Sequence, residues 1–163
     1  FAEFIKLFFM DIIKVRVARP GDRKRLTDFQ VQMALETEGQ ELDRRIVSQG
    51  VKSVLDDPHK ATYFVAELEG VEGIVGCLMI TDEWSDWRNG WVWWIQSLYV
   101  LPEYRKRGVF TALLEHVWMI VDSTSDVKGI RLYVDKNNTR ARELYEAIGM
   151  SGEHYITYEL MKE

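Results

Sequence analysis

Residues 91–100 read WVWWIQSLYV, ten residues with apolar side chains at odd and at even positions. Successive side chains of a strand point to opposite faces, so this run needs apolar cover on both sides. Its place is therefore central in a sheet that carries helices on its faces. The continuation is equally restrictive. Leu101-Pro102 ends the strand, Arg105, Lys106, Arg107 and Gly108 follow, and an apolar helical pattern begins. The spacing predicts a helix over 106–123, with Leu113, Leu114, Val117, Trp118 and Val121 on one face.

Three adjacent cations are out of keeping with a chain of formal net charge −5. An anion would account for them. The first amides of a helix have no intrahelical partner, and the macrodipole adds positive potential there. Glycine lets a ligand approach the backbone, and arginine can grip a phosphate with two parallel bonds. The segment Arg105, Lys106, Arg107, Gly108, Val109, Phe110 and Thr111 is thus a candidate diphosphate cradle. On these residues alone, a solvated basic helix start is the alternative. No G-x-x-x-x-G-K-[ST] run is present, and GVEGIVG, with Gly70, Gly73 and Gly76 at a regular spacing, sits in a hairpin between strands and not before a helix, so it reads as a turn.

Around this centre the pattern predicts a strand over 12–17, then a helix from a cap at Asp22 to about Glu38, closed by Gly39. A second helix is expected over 41–55, and a hairpin of strands over 61–68 and 73–81. The polar segment 82–90, with Asn89-Gly90, reads as a long hairpin connection. Strands over 129–134 and 154–162 flank a helix over 139–148 that Gly149 closes. The order β-α-α-β-β-β-α-β-α-β defines an α/β (α+β) fold, with a mixed, mostly antiparallel central sheet flanked by helices.

Residues 12–163 are expected to form a single domain, and 1–11 to be leader or appended sequence with Met10 as a candidate start. The negative charge argues against a nucleic-acid partner. No segment reads as a signal peptide or a membrane span, which favours a cytoplasmic protein. The single cysteine, Cys77, reads as a buried core thiol.

A second constellation narrows the function. The segment VDKNNTRARELYEAIGM places Asn138, Ala141, Tyr145 and Gly149 at spacings of three, four and four. With Val100, Pro102, Tyr104, Arg105 and Gly108, it resembles the two cofactor motifs of the GNAT superfamily of acyl-CoA N-acyltransferases. The first reads V-x-P-x-Y before R/Q-x-x-G-x-G/A, and the second N-x-x-A-x-x-x-Y-x-x-x-G. The sequence departs at the last small position of the first motif, which is Phe110. Such a side chain is expected beneath the loop or against the adenine.

The resemblance implies transfer of an acetyl group from acetyl-CoA to an amine by direct attack. It implies main-chain contacts from Leu98, Tyr99 and Val100 to the pantetheine arm, and a diphosphate held by residues 105–111. Asn138 would lie beside the pantetheine, and Tyr145 would protonate the leaving thiolate. Relatives, including diamine acetyltransferases, often carry a glutamate on the central strand, where this chain has Gln96 and Ser97. Gln96 could hold a water or orient the amine. Glu83 is the first candidate base, and Glu36 and Glu38 are next. Trp84, among the clustered tryptophans 84, 87, 91, 93 and 94, is a candidate wall of an acceptor pocket for a cationic amine. A small-molecule amine acceptor, no metal, no membrane and a homodimer are expected. A protein N-terminus or lysine as acceptor, and a non-catalytic CoA-binding sensor, are the alternatives.

Overall fold

The computed structural model describes residues 12–152 and 156–162. It divides into two compact units, one ending at Leu132 and one beginning at Tyr133. The first holds β1 (Ile13–Val17), α1 (Arg23–Glu38), α2 (Arg44–Asp56), β2 (Thr62–Leu68), β3 (Ile74–Ser85), β4 (Gly90–Val100), α3 (Val109–Ser123) and β5 (Val127–Leu132). The second holds α4 (Thr139–Ala147).

The five strands lie in the order β1-β2-β3-β4-β5, antiparallel up to β4 and parallel between β4 and β5. A parallel pair needs a crossover, and α3 supplies it. Period-2 alternation divides the sheet's side chains between two cores. On one face Phe64, Leu78 and Ile95 pack with Leu113, Val117 and Val121 of α3. On the other, Tyr63, Val65, Cys77 and Tyr99 pack with Leu26 and Phe29 of α1 and Val51 of α2. Strand β4 contributes to both, as its doubly apolar pattern requires. Cys77 is a fully buried thiol in the second core.

Several boundaries differ from the sequence reading, each for a local reason. The polar segment 82–90 is not a long connection. Strands β3 and β4 continue through it, paired from Thr81↔Trp94 to Ser85↔Gly90, and the turn is only Asp86–Asn89, with Asn89 at φ 45°. Cross-strand Trp84–Trp91 ring packing, 5.1 Å between centroids, sustains the extension. Helix α2 starts at Arg44 because the Asp43 carboxylate accepts from the Arg45 amide at 2.7 Å. Asp22 does not cap α1; its carboxylate instead accepts from Arg16 and from the Arg19 amide, both at 2.7 Å.

Helix α3 starts at Val109, three residues later than the pattern suggests, since Lys106 and Gly108 take left-handed conformations. Trp118 is 54% exposed, outside the buried stripe of α3. The expected final strand is not formed over 156–162; these residues have no ladder partner among the described residues, and Leu160 is 99% exposed. His154 and Tyr155 lie outside the described residues. Gly39 closes α1 at φ 66°, its amide 3.2 Å from the Leu35 carbonyl, as expected.

Candidate functional site

The strand-to-helix turn after β4 is built from the backbone outward. A 3-10 turn, Pro102–Tyr104, carries the chain off the sheet. Lys106 then has φ 63° and Gly108 φ 85°, the two left-handed residues that fold the chain back into α3. Left-handed backbone costs a lysine on the order of 1 kcal/mol, and surrounding structure must hold it there. The first backbone bond of α3 runs from the Ala112 amide to the Gly108 carbonyl at 2.9 Å. The amides ahead of it lie N-terminal to the ladder, at the positive end of the helix dipole. Successive amides in a turn with left-handed residues form an anion-binding concavity.

The Phe110 side chain is half-buried and packs against the α3-side core. Val109 is buried beside it, and Lys106, Arg107 and Thr111 are exposed. The Arg107 guanidinium lies 5.5 Å from the centroid of the Tyr104 ring.

Beyond Ile95, the β4 backbone leading to the turn has no strand beside it on the β5 side among the described residues. Pairing with β5 stops at Ile95↔Leu132, while pairing with β3 continues to Val100. Residues 97–100 of β4 therefore have a ladder partner on the β3 side alone among the described residues. The Leu101 amide donates to the Val75 carbonyl of β3 at 3.0 Å. Main-chain groups alternate in direction, so those of Tyr99 share that edge and those of Leu98 and Val100 face away from β3. Gln96 is an extra residue in the ladder, because Ser97 is opposite Met79 and Ile95 opposite Ile80. This bulge turns the main chain at the point where β5 leaves the sheet.

Arg105 is turned toward α1. Its Nη1 and Nη2 donate to the two Glu36 oxygens at 2.5 and 2.7 Å, and its Nε donates to the Val100 carbonyl at 2.9 Å. The pairing holds the Glu36 carboxyl below its ordinary range. Burial, aided by the Glu36 charge, pushes the Tyr99 phenol up. Glu38, the last residue of α1, is exposed.

Gln96 donates to the Thr81 hydroxyl at 2.7 Å. Ser97 is buried and accepts from the Gln30 amide at 3.2 Å. Both oxygens of Glu83 are engaged: Arg131 donates to Oε1 at 2.8 Å, and the Trp94 indole donates to Oε2. The Arg131 guanidinium also lies over the Trp94 ring, 5.7 Å from its centroid. Sequence reasoning missed Arg131 and Gln30, which carry no motif and reach these partners only through the sheet. Trp84 is half exposed, in the hairpin extension.

In the second unit, Asn138 caps α4, its side-chain oxygen accepting from the Ala141 amide at 3.1 Å. Burial raises the Tyr145 phenol above its ordinary value. Gly149 closes the helix at φ 88°. Among the described residues no group of three or more His, Cys, Asp and Glu could hold a metal ion, and no helix is long and apolar enough to cross a membrane.

The turn, the opened strand edge and the mixed sheet coincide with one family pattern. The model of the Acetyltransferase (GNAT) family matches residues 24–150, and the chain belongs to that family of acetyltransferase enzymes. Among solved structures, a possible acetyltransferase from Clostridium difficile 630 is 40% identical, with a TM-score of 0.86 over 93% of this chain and 99% of that one. A ribosomal-protein-alanine N-acetyltransferase from Brucella melitensis biovar Abortus 2308 shares the fold at 16% identity and a TM-score of 0.72, over 93% of this chain and 100% of that one. An aminoglycoside N-acetyltransferase solved with CoA shares it at 15% identity and a TM-score of 0.74, over 93% and 96%. No curated protein matches the chain in sequence.

Proposed function

We propose that the protein transfers an acetyl group from acetyl-CoA to a primary amine of a small molecule. The observation that carries this reading is the juxtaposition of two features of the first unit. Among the described residues, β4 has no strand on its β5 side over 96–100, and the turn with Lys106 and Gly108 left-handed follows directly. Their chemistry fits the donor. The outward main-chain groups of Leu98 and the outward amide of Val100, whose carbonyl is taken by Arg105, suit the amides of the pantetheine arm. The amides from Lys106 to Thr111, with the charges of Lys106 and Arg107, suit its diphosphate.

Acetyl-CoA supplies the thioester. The chain's residues orient the amine, receive its proton and support the charge that develops on the carbonyl oxygen. The bulge at Gln96 redirects main-chain N–H groups and is the natural place for that last role. Because Arg131 and Trp94 occupy Glu83, it is better suited to holding the strands beside the bulge than to taking the proton. A water held by Gln96 would serve instead. The half-exposed Trp84 and Trp91, with Asp82 and Asp86 in the same hairpin, support a cationic acceptor through charge and ring-face attraction.

The direct test is a screen of amines with acetyl-CoA, read as release of free CoA, together with thermal unfolding. Acetyl-CoA at 100 times its dissociation constant should stabilise the fold by about 2.7 kcal/mol. No thermal shift and no heat of binding at millimolar CoA would overturn the donor assignment. Binding without turnover on any amine would favour a sensor.

By the family pattern, Tyr145 delivers the proton to the departing thiolate. A phenol raised by burial stays protonated at neutral pH and can donate. Tyr145→Phe is expected to lower kcat about 100-fold, the low end for acid catalysis, with CoA affinity near that of the wild type. The alkaline loss of wild-type activity that reports Tyr145 should lie above pH ~10, since the protonated form is active and its pKa is raised. Unchanged turnover would remove Tyr145 from the acid role.

A further inference from the structure

Arg105 reads in sequence as one of three cations offered to a diphosphate, and Glu36 as an acid offered to the acceptor. The structure joins them to each other. Nη1 and Nη2 of Arg105 donate to Oε1 and Oε2 of Glu36 at 2.5 and 2.7 Å, a two-point grip that fixes direction as well as distance. The third bond, from Nε to the Val100 carbonyl at 2.9 Å, ties the same guanidinium to the end of β4. Three of its five N–H groups are thereby committed. Its flat face lies 5.5 Å from the centroid of the Tyr99 ring, and the Tyr99 hydroxyl is 3.4 Å from Glu36 Oε2 and from Gln32 Oε1.

One side chain thus connects the last turn of α1, the last two residues of β4 and the first residue of the donor turn. The consequence falls on Lys106, next in sequence. A non-glycine residue keeps a left-handed backbone only where its neighbours fix it. After it, Gly108 is anchored by the Ala112 amide. Before it, the Arg105 amide is 3.3 Å from the Pro102 carbonyl, a long bond, and the three bonds of the Arg105 side chain add to the constraint there.

We infer that Glu36, acting through Arg105, is a positioning residue for the donor turn, so that the end of α1 belongs to the acetyl-CoA site and not to the acceptor pocket. This rests on the donor reading given under Proposed function. Glu36 is exposed and the pair lies at the rim of the α1-side core, against Tyr99, so removing it takes no apolar side chain out of that core.

The test is calorimetric titration of CoA into wild type, Glu36→Gln, Arg105→Lys and the double variant, with hydrogen exchange of the amides over 106–111. Each single variant is expected to weaken CoA about tenfold. The double variant should be no worse than either single, because both remove one interaction. Exchange over 106–111 should quicken while amides of β2 and β3 keep their protection, and the KM for the amine should stay within twofold. If wild type does not bind CoA, the donor reading itself fails. If wild type binds and Glu36→Gln binds equally well, the inference fails alone. A raised amine KM with unchanged CoA affinity would return Glu36 to the acceptor side. Exchange that quickens throughout the sheet, without a change in CoA affinity, would reduce the pair to a stabilising contact.

Discussion

Gly108→Ala should weaken CoA binding by more than about 100-fold, while Gly70→Ala, an equally strained substitution, should leave it unchanged. Gly108 has φ 85°, and a Cβ built there meets nothing nearer than Ile13 Cδ1 at 3.6 Å, an ordinary contact. Space is therefore available, and the penalty lies in the backbone. An L side chain in the left-handed region costs roughly 1–2 kcal/mol. The chain can bear that strain or relieve it by rotating Gly108 toward negative φ. Rotation turns the amides at the head of α3 away from a shared anion. Losing two charge-assisted bonds at about 1.5 kcal/mol each corresponds to about 100-fold in affinity. Gly70, in the β2–β3 turn at φ 76°, has nothing within 4 Å, so Gly70→Ala carries the same strain away from the site. The two variants should lose similar thermal stability, measured by calorimetry, and differ in CoA titration. Equal CoA affinity in both would show that the turn does not hold the diphosphate.

What the sequence reveals of this site is its backbone. Ten residues apolar on both faces can only be central, and β4 lies between β3 and β5. A glycine after a cation cluster, before an apolar helix, identifies the turn, though not that Lys106 shares its left-handed geometry. Side-chain partners are a different matter. Arg105 and Glu36 are 69 residues apart, and Arg131 and Glu83 are 48 apart. Only the sheet's closure makes them neighbours, so both acids look free in the sequence. Asn138 illustrates the reverse. Its position in the motif suggests a ligand contact, while an asparagine before a helix is equally a cap, and the structure shows the cap bond to the Ala141 amide. The bulge at Gln96 has no sequence signature, since no glycine marks it. The alternation of Ile156, Tyr158 and Leu160 suggests a strand, but alternation does not supply a neighbour to pair with.

Gly76 is the least conspicuous of three glycines in one run, yet it lies beneath both halves of the proposed donor site. Gly70 and Gly73 have positive φ and belong to the turn; Gly76 lies within β3, opposite Val100. A glycine inside a strand marks a close approach. A Cβ there would sit 3.0 Å from Val109 Cγ1, 3.1 Å from the Tyr99 carbonyl oxygen and 3.3 Å from Val100 Cγ2. Val109 opens α3, and Tyr99 and Val100 end β4, so the absent methyl is what lets the helix start rest against the strand. The methyl of Gly76→Ala can be admitted only by moving a buried side chain and a main-chain oxygen together. Overpacking of this kind costs typically 1–3 kcal/mol, and the upper part of that range, about 2–3 kcal/mol, is expected in urea unfolding. CoA affinity should fall as well, because the first residue of α3 is pushed off the sheet. Val109→Ala removes the nearest atom. The double variant should therefore be less destabilised than the sum of the two single variants, by about 1 kcal/mol, although the Tyr99 oxygen remains in the way. Strict additivity would mean that Gly76 and Val109 act independently, and a Gly76→Ala protein as stable as wild type would mean that the helix start is free to shift.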